Sequence, residues 1–160
     1  MYSEYVEKSH SWDDNWNDVI RYVLFKDDKL KELMCIPKDC GIMDFVDKYF
    51  IEDGSGTDVL TDEAVRIIYY DEPASGNDPH VHHMYKTFLI YVNKDVLRTA
   101  TEDRLQTRYD LIANRLKYLL LGRRYVQRMR YTLARDTHTL WTKATSYRVA
   151  RISFAYTTTI

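Results

Sequence analysis

Three imidazoles stand within four residues of this chain, at His80, His82 and His83, and three carboxylates precede them at Asp71, Glu72 and Asp78. Imidazole nitrogens and carboxylate oxygens are ordinary ligands of zinc and other first-row metals, so this is where metal-assisted chemistry would sit. A metal site also needs ligands that converge from a rigid frame. These lie along a stretch punctuated by Pro73, Gly76 and Pro79, and no helical His-Glu-x-x-His spacing accompanies them. The reading is a polar loop that orders against a partner, with no resident metal and no other cofactor.

Other catalytic patterns are missing from the sequence. It holds no Gly-x-Ser-x-Gly elbow, no phosphate loop and no Gly-x-Gly-x-x-Gly. Gly54-Ser-Gly56 is followed by Asp58 and no lysine. Asp71 and Glu72 end a strand-like segment, where nuclease carboxylates can lie, but residues 85–94 supply no acid-x-Lys partner. Cys35 and Cys40 flank Pro37 without the basic neighbours that hold a thiolate. Their spacing has no second pair to complete a metal site, so reduced thiols are expected, with a local disulfide as the alternative. The chain reads as a non-enzyme.

Binding chemistry is better represented. Arg123, Arg124, Arg128, Arg130 and Arg135 cluster late in the chain, with Tyr125 and Tyr131 between them. Guanidinium groups for phosphates and tyrosine rings for bases would make a platform for single-stranded nucleic acid. The same arginines can instead meet carboxylates, and the chain supplies those in its other half. Residues 1–80 hold 19 Asp and Glu against 8 Lys and Arg; residues 81–160 hold 5 against 15. The two halves nearly cancel, to a net charge of −1. An acidic region would repel a polyanion, whereas acidic and basic surfaces on one chain suit a heterologous contact between copies, which builds rings or filaments. Folding of one half against the other inside a monomer would also neutralise the pair.

The elements that must carry these groups follow from periodicity. Trp16, Val19, Ile20, Val23 and Leu24 make a helical stripe behind Asp13 and Asp14. A short helix is expected over Leu30, Leu33 and Met34 before Pro37, and a third over Ile42, Phe45, Val46, Tyr49 and Phe50. From residue 65 the period becomes that of strands. Val65–Tyr70 is one and Tyr85–Asn93 a second, apolar on both faces and so central. A long helix follows, capped by Thr101, lined by Leu105, Tyr109, Ile112, Leu116, Leu119 and Leu120, and ended by Gly122. In a third strand Gln127, Met129, Tyr131 and Leu133 alternate with Arg128, Arg130 and Thr132. In a fourth, Ala150, Ile152, Phe154 and Tyr156 alternate with Val149, Arg151, Ser153 and Ala155. The expected fold is α+β, in the order α-α-α-β-β-α-β-β: a mixed, mostly antiparallel sheet of about four strands with the long helix across one face. Residues 1–60 form a helical region and 61–160 a ββαββ core.

The stretch from Val65–Tyr70 through Tyr85–Asn93, Leu97-Arg-Thr-Ala-Thr-Glu-Asp-Arg-Leu-Gln and its helix, to two closing strands, resembles the tail terminator or tail-completion proteins of tailed bacteriophages. The resemblance covers about 100 residues and rests on element order and size. It implies a non-enzymatic neck protein, made in the host cytoplasm and carried in the virion. Such a protein forms a ring of its own copies, commonly hexameric, that caps the tail tube, docks on the head connector and lets DNA pass through its channel. Interface candidates are Asp71, Glu72, Asp78, His82, Arg123, Arg124, Arg128, Arg130, Arg151 and Tyr156. The last strand, ending at Ile160, is the candidate edge for pairing between subunits. No apolar run approaches the roughly 20 residues of a membrane span, and the polar N-terminus lacks a signal-peptide core, so no membrane partner is expected.

Overall fold

Val19, Ile20, Val23 and Leu24 are all buried on one side of helix α1, Trp12–Phe25, as their spacing requires. The computed structural model describes residues 12–52, 63–73, 81–101, 104–123, 131–140 and 146–159. Asp27 then starts helix α2, Asp28–Leu33, by accepting the Leu30 N–H at 2.7 Å. The same carboxylate takes two hydrogen bonds from Arg115 of the long helix, at 2.9 and 2.6 Å. One side chain thus caps one helix and ties it to another. Burial alone would push the Asp27 carboxyl up, but the hydrogen bonds from Arg115 and Leu30 and the Arg115 charge outweigh it and hold it below the usual 3.8.

The expected third helix is only partly helical. A single α-turn, α3 (Ile42–Asp44), runs into a π-turn, Phe45–Tyr49, and Phe50 begins a strand. The Phe50 N–H bonds to the Phe45 carbonyl, five residues back. That wider turn suits the five-residue spacing of the two phenylalanines, whose rings stack 5.7 Å apart.

Strands β1 (Phe50–Glu52), β2 (Val65–Pro73), β3 (Val81–Asn93), β6 (Thr132–Leu140) and β7 (Tyr147–Thr159) form one sheet in the order β1-β2-β3-β7-β6. Only β1 and β2 run parallel. The fold is therefore α+β and mostly antiparallel, with β3 at the centre as its two apolar faces predict. Two features depart from expectation. Strands β2 and β3 run on through Asp71-Glu72-Pro73 and Val81–Met84, so the expected loop is shorter. The last strand is no edge: β7 lies between β3 and β6. The edges are the three-residue β1 and the bulged β6, whose register slips twice between Leu133 and His138. Short or bulged edges resist pairing with another chain.

Before the long helix, β4 (Arg98–Thr101) and β5 (Arg104–Thr107) make a hairpin. This places Thr101 and Leu105 in strands, and the helix α4, Arg108–Leu120, begins behind Thr107. The Thr107 hydroxyl hydrogen-bonds to the Asp110 carboxylate in the first turn. Arg108 fastens hairpin and helix to the rest, donating from Nε to the Val96 carbonyl at 2.8 Å and from Nη1 to the Leu33 carbonyl at 2.9 Å. Ile112, Leu116 and Leu120 are buried as predicted. Gly122 ends the helix with φ 68°, the left-handed region that favours glycine, and its N–H bonds to the Tyr131 carbonyl. The strand expected from Gln127 begins at Thr132 instead. Its arginines at 128 and 130 lie outside the described residues, and Leu133, expected to share a face with Tyr131, is exposed while Tyr131 is buried.

Candidate interaction surface

Residues paired across an antiparallel ladder share a face, so the register sorts every strand residue. On the inner face stand Ile67, Tyr69 and Asp71 of β2, Ile90, Phe88 and Lys86 of β3, and Ala150, Ile152 and Phe154 of β7. A series of ring contacts crosses this face. It runs from Phe45 to Phe50 (5.7 Å), Tyr69 (4.4 Å from Phe50), Phe88 (6.0 Å from Phe50), Phe154 (5.7 Å from Phe88), Tyr131 and Tyr156.

At the end of that series lies a buried lysine. Lys86 has no exposed surface, and its ammonium sits 2.9 Å from each Asp71 carboxylate oxygen. The Tyr156 hydroxyl donates to Asp71 at 2.9 Å, and the Tyr69 ring lies 5.3 Å from the ammonium. Arg21 completes the edge: its Nε donates to the Tyr69 hydroxyl at 2.7 Å and its Nη2 to Glu52 at 2.8 Å. Burial lowers the Lys86 ammonium below its ordinary range, and Asp71 opposes that shift. Burial likewise raises the Tyr69 hydroxyl. Asp71 and Tyr156, candidates for an interface, are thus bonded to each other on the inner face, Tyr156 buried and Asp71 still open to solvent.

The outer face carries Arg66, Ile68, Tyr70 and Glu72 from β2, Tyr85, Thr87, Leu89 and Tyr91 from β3, Val149, Arg151, Ser153 and Ala155 from β7, and Arg135 from β6. None of these side chains belongs to the core cluster that includes the buried helix residues. A polar strip crosses this face. Thr87 donates to Glu72 at 3.1 Å, Thr87 and Ser153 share a buried hydrogen bond of 2.8 Å, and Arg135 lies 3.9 Å from Glu72 and 5.3 Å from the Tyr85 ring. Ile68, Tyr70, Leu89 and Tyr91 stand half-exposed around it.

The other predicted residues are less gathered. His82 lies opposite Thr158 in the ladder; exposed His83 has its Nδ1 3.3 Å from the Thr157 hydroxyl. His80, Asp78, Arg124, Arg128 and Arg130 lie outside the described residues. Among the described residues no three of His, Cys, Asp and Glu come together to hold a metal. Cys35 and Cys40 are both free. Arg123 is exposed over the Tyr118 ring, and Arg151 is half-buried beside Leu89. Sequence reasoning missed Lys86, Arg66 and Arg115. A lone lysine inside an apolar strand was the available signal for the first, since lysine is almost never fully buried without a partner.

The acidic half also resolves further. Residues 21–52 hold seven acids and six bases, so its surplus lies outside this stretch, mostly in residues 1–20 and 53–78. Among the described residues no helix is long and apolar enough to cross a membrane.

A family model described as YomW matches residues 8–156, nearly the whole chain. The chain belongs to the YomW family. That family name is phage-derived, and membership points to a phage protein. No curated protein and no solved structure matches this YomW-family chain.

Proposed function

We propose that this chain is a non-enzymatic structural protein of the phage neck, working by assembly. Copies join into a ring, hexameric by resemblance to tail terminators, that closes the tail and meets the head connector in the virion. The observation that carries this reading is the outer face of the sheet. On the interior strands β2, β3 and β7 it holds Ile68, Tyr70, Leu89 and Arg151 half-buried, outside the core cluster. Tyrosine and arginine are the residues enriched where protein surfaces meet. Membership of a phage-derived family and the division of charge along the sequence support the same reading.

Electron microscopy of the purified protein, alone and mixed with the tail tube protein of the same phage, tests it. Closed rings, or a disc at the tube end, are expected. A protein that stays monomeric at high concentration and low salt and never binds the tube would overturn the proposal. The arginines and tyrosines of the outer face also favour a second reading, a nucleic-acid platform. Affinity for DNA or RNA that falls steeply with salt, measured on the monomer, would replace assembly with that reading.

A further inference from the structure

Four large apolar side chains stand exposed among the described residues: Ile42, Met43, Tyr118 and Leu133. Three of them fall in two patches of opposite character, both away from the sheet. The first patch is the one-turn α3. Met43 is 68% exposed and Ile42 38%, and exposed Asp39, Asp44 and Asp47 flank them in the chain, with exposed Lys38 and Lys48 leaving the stretch net negative by one charge. Asp44 has Lys48 at 3.9 Å; Asp39 and Asp47 have no ion pair among the described residues. Burial, then the nearby Asp44 charge, raises the Cys40 thiol here, and the Lys31 and Lys48 charges oppose the shift.

The second patch is on the long helix. Tyr118 is 60% exposed and lies between two guanidinium groups, Arg115 at 4.6 Å and Arg123 at 5.7 Å from the ring centre. Arg115 is already held by Asp27, and neighbouring Lys117 by Asp136 at 2.5 Å. The positive charge left to meet a ligand is therefore small. A polyanion needs many uncompensated cations along its track. A single apolar side chain with one or two carboxylates needs only what is present.

We propose that the Ile42–Met43 turn of one copy docks on the Tyr118–Arg123 patch of a second copy, as one repeating contact of the assembly. Met43 is long, unbranched and polarisable, and thioethers pack well on aromatic rings. Asp39 and Asp47 would meet Arg123 and the edge of the Arg115–Tyr118 stack. Two turns facing each other would instead set Asp39 and Asp47 of both copies together, and two Tyr118 patches would set Arg123 against Arg123. The contact is therefore heterologous, the kind that closes into rings. It rests on the self-assembly reading above and adds the residues that would make it.

Complementation between two variants tests it. Met43→Asp removes the docking turn and leaves the tyrosine patch intact; Tyr118→Ala with Arg123→Glu does the reverse. All three positions are exposed, and thermal melts of each variant should match the parent. In sedimentation velocity at low salt, the parent should form species larger than a dimer. Each variant alone should associate about thirtyfold more weakly, the scale of losing a hot-spot residue. The equimolar mixture should stop at a one-to-one dimer, because each chain keeps one working half. Parent-like assembly of either variant, or a mixture that stays monomeric, would overturn this contact and leave self-assembly standing through another surface. A parent that never associates would overturn both.

Discussion

Phe88 and Leu89 are neighbours on β3 and stand on opposite faces of one sheet. Phe88 is fully buried among Phe50, Tyr69 and Phe154. Leu89 is half-exposed between Ile68 and Arg151. Each face has a chain of contacts running across the strands, aromatic on the inside and polar on the outside. The strands thus serve two purposes at a spacing of one residue. The inner face holds the core; on the outer face Arg66, Thr87, Val149 and Ser153 are buried as well, while Ile68, Tyr70, Leu89 and Tyr91 keep part of their surface for a partner.

The sharpest break in that comparison is Phe88→Ala. Truncating a buried aromatic side chain costs about 3–5 kcal/mol, and urea unfolding should show a loss of that order. A loss below about 1 kcal/mol, the scale of a tolerated surface change, would mean the inner face is not the core it resembles.

Next in size is the Lys86–Asp71 pair, which sets a fully buried ammonium on the inner face. Asp71→Asn leaves a buried ammonium without its counter-ion. The loss should be about 2–3 kcal/mol, somewhat under the cost of breaking a fully buried pair because Asp71 is partly exposed. Lys86→Met keeps the volume and removes the charge, so it should be near neutral. The pH dependence has a defined sign. Lys86 is lowered in the folded state, so between its folded value and the ordinary 10.5 the unfolded chain binds more protons. Its contribution to stability therefore rises with pH through that window. Lys86→Met should flatten the rise, which titration of unfolding free energy against pH would detect.

Asp27 gives a smaller effect of the same sign, in the acid range. Its carboxyl is lowered in the folded state, so the stability it adds is fully present above the unfolded value and fades as pH falls through the folded one. Asp27→Ala removes a helix cap and a paired guanidinium contact together. A loss of about 1–2 kcal/mol at neutral pH, fading in acid below the ordinary carboxyl range, is expected from melting curves. A loss that persists in acid would place the effect in packing instead.

The inner face was largely legible in the sequence. Ile112, Leu116 and Leu120 repeat at helical spacing, and Ala150, Ile152, Phe154 and Tyr156 at strand spacing; burial follows both. The errors come from signals shared between structures. Thr101-Glu-Asp resembles a helix start, yet its threonine falls in a β-hairpin whose pairing only long-range packing decides. The stripe Ile42–Phe50 fits a helix until the π-turn brings Phe45 and Phe50 together. The place of β7 depends on strand order, which periodicity cannot encode. Asp71 and Tyr156 are acidic and aromatic by type, and that register also brings them beside Lys86 could not be read from type alone.

The smallest expected effect on stability is Leu89→Ser, and it separates the two faces most cleanly. Leu89 loses only part of its apolar area to solvent, so the cost should be about 1 kcal/mol or less, well under that of Phe88→Ala next to it. If the outer face serves assembly, the same change should weaken association far more than it weakens the fold. Paired measurements on one sample, unfolding at low concentration and sedimentation at high concentration, read both quantities. A large stability loss with unchanged association would mean that the outer face is an ordinary buried layer of the monomer. Association weakened about tenfold with the melt nearly unmoved is the outcome expected if this face is where copies, or the ring and its neighbours, meet.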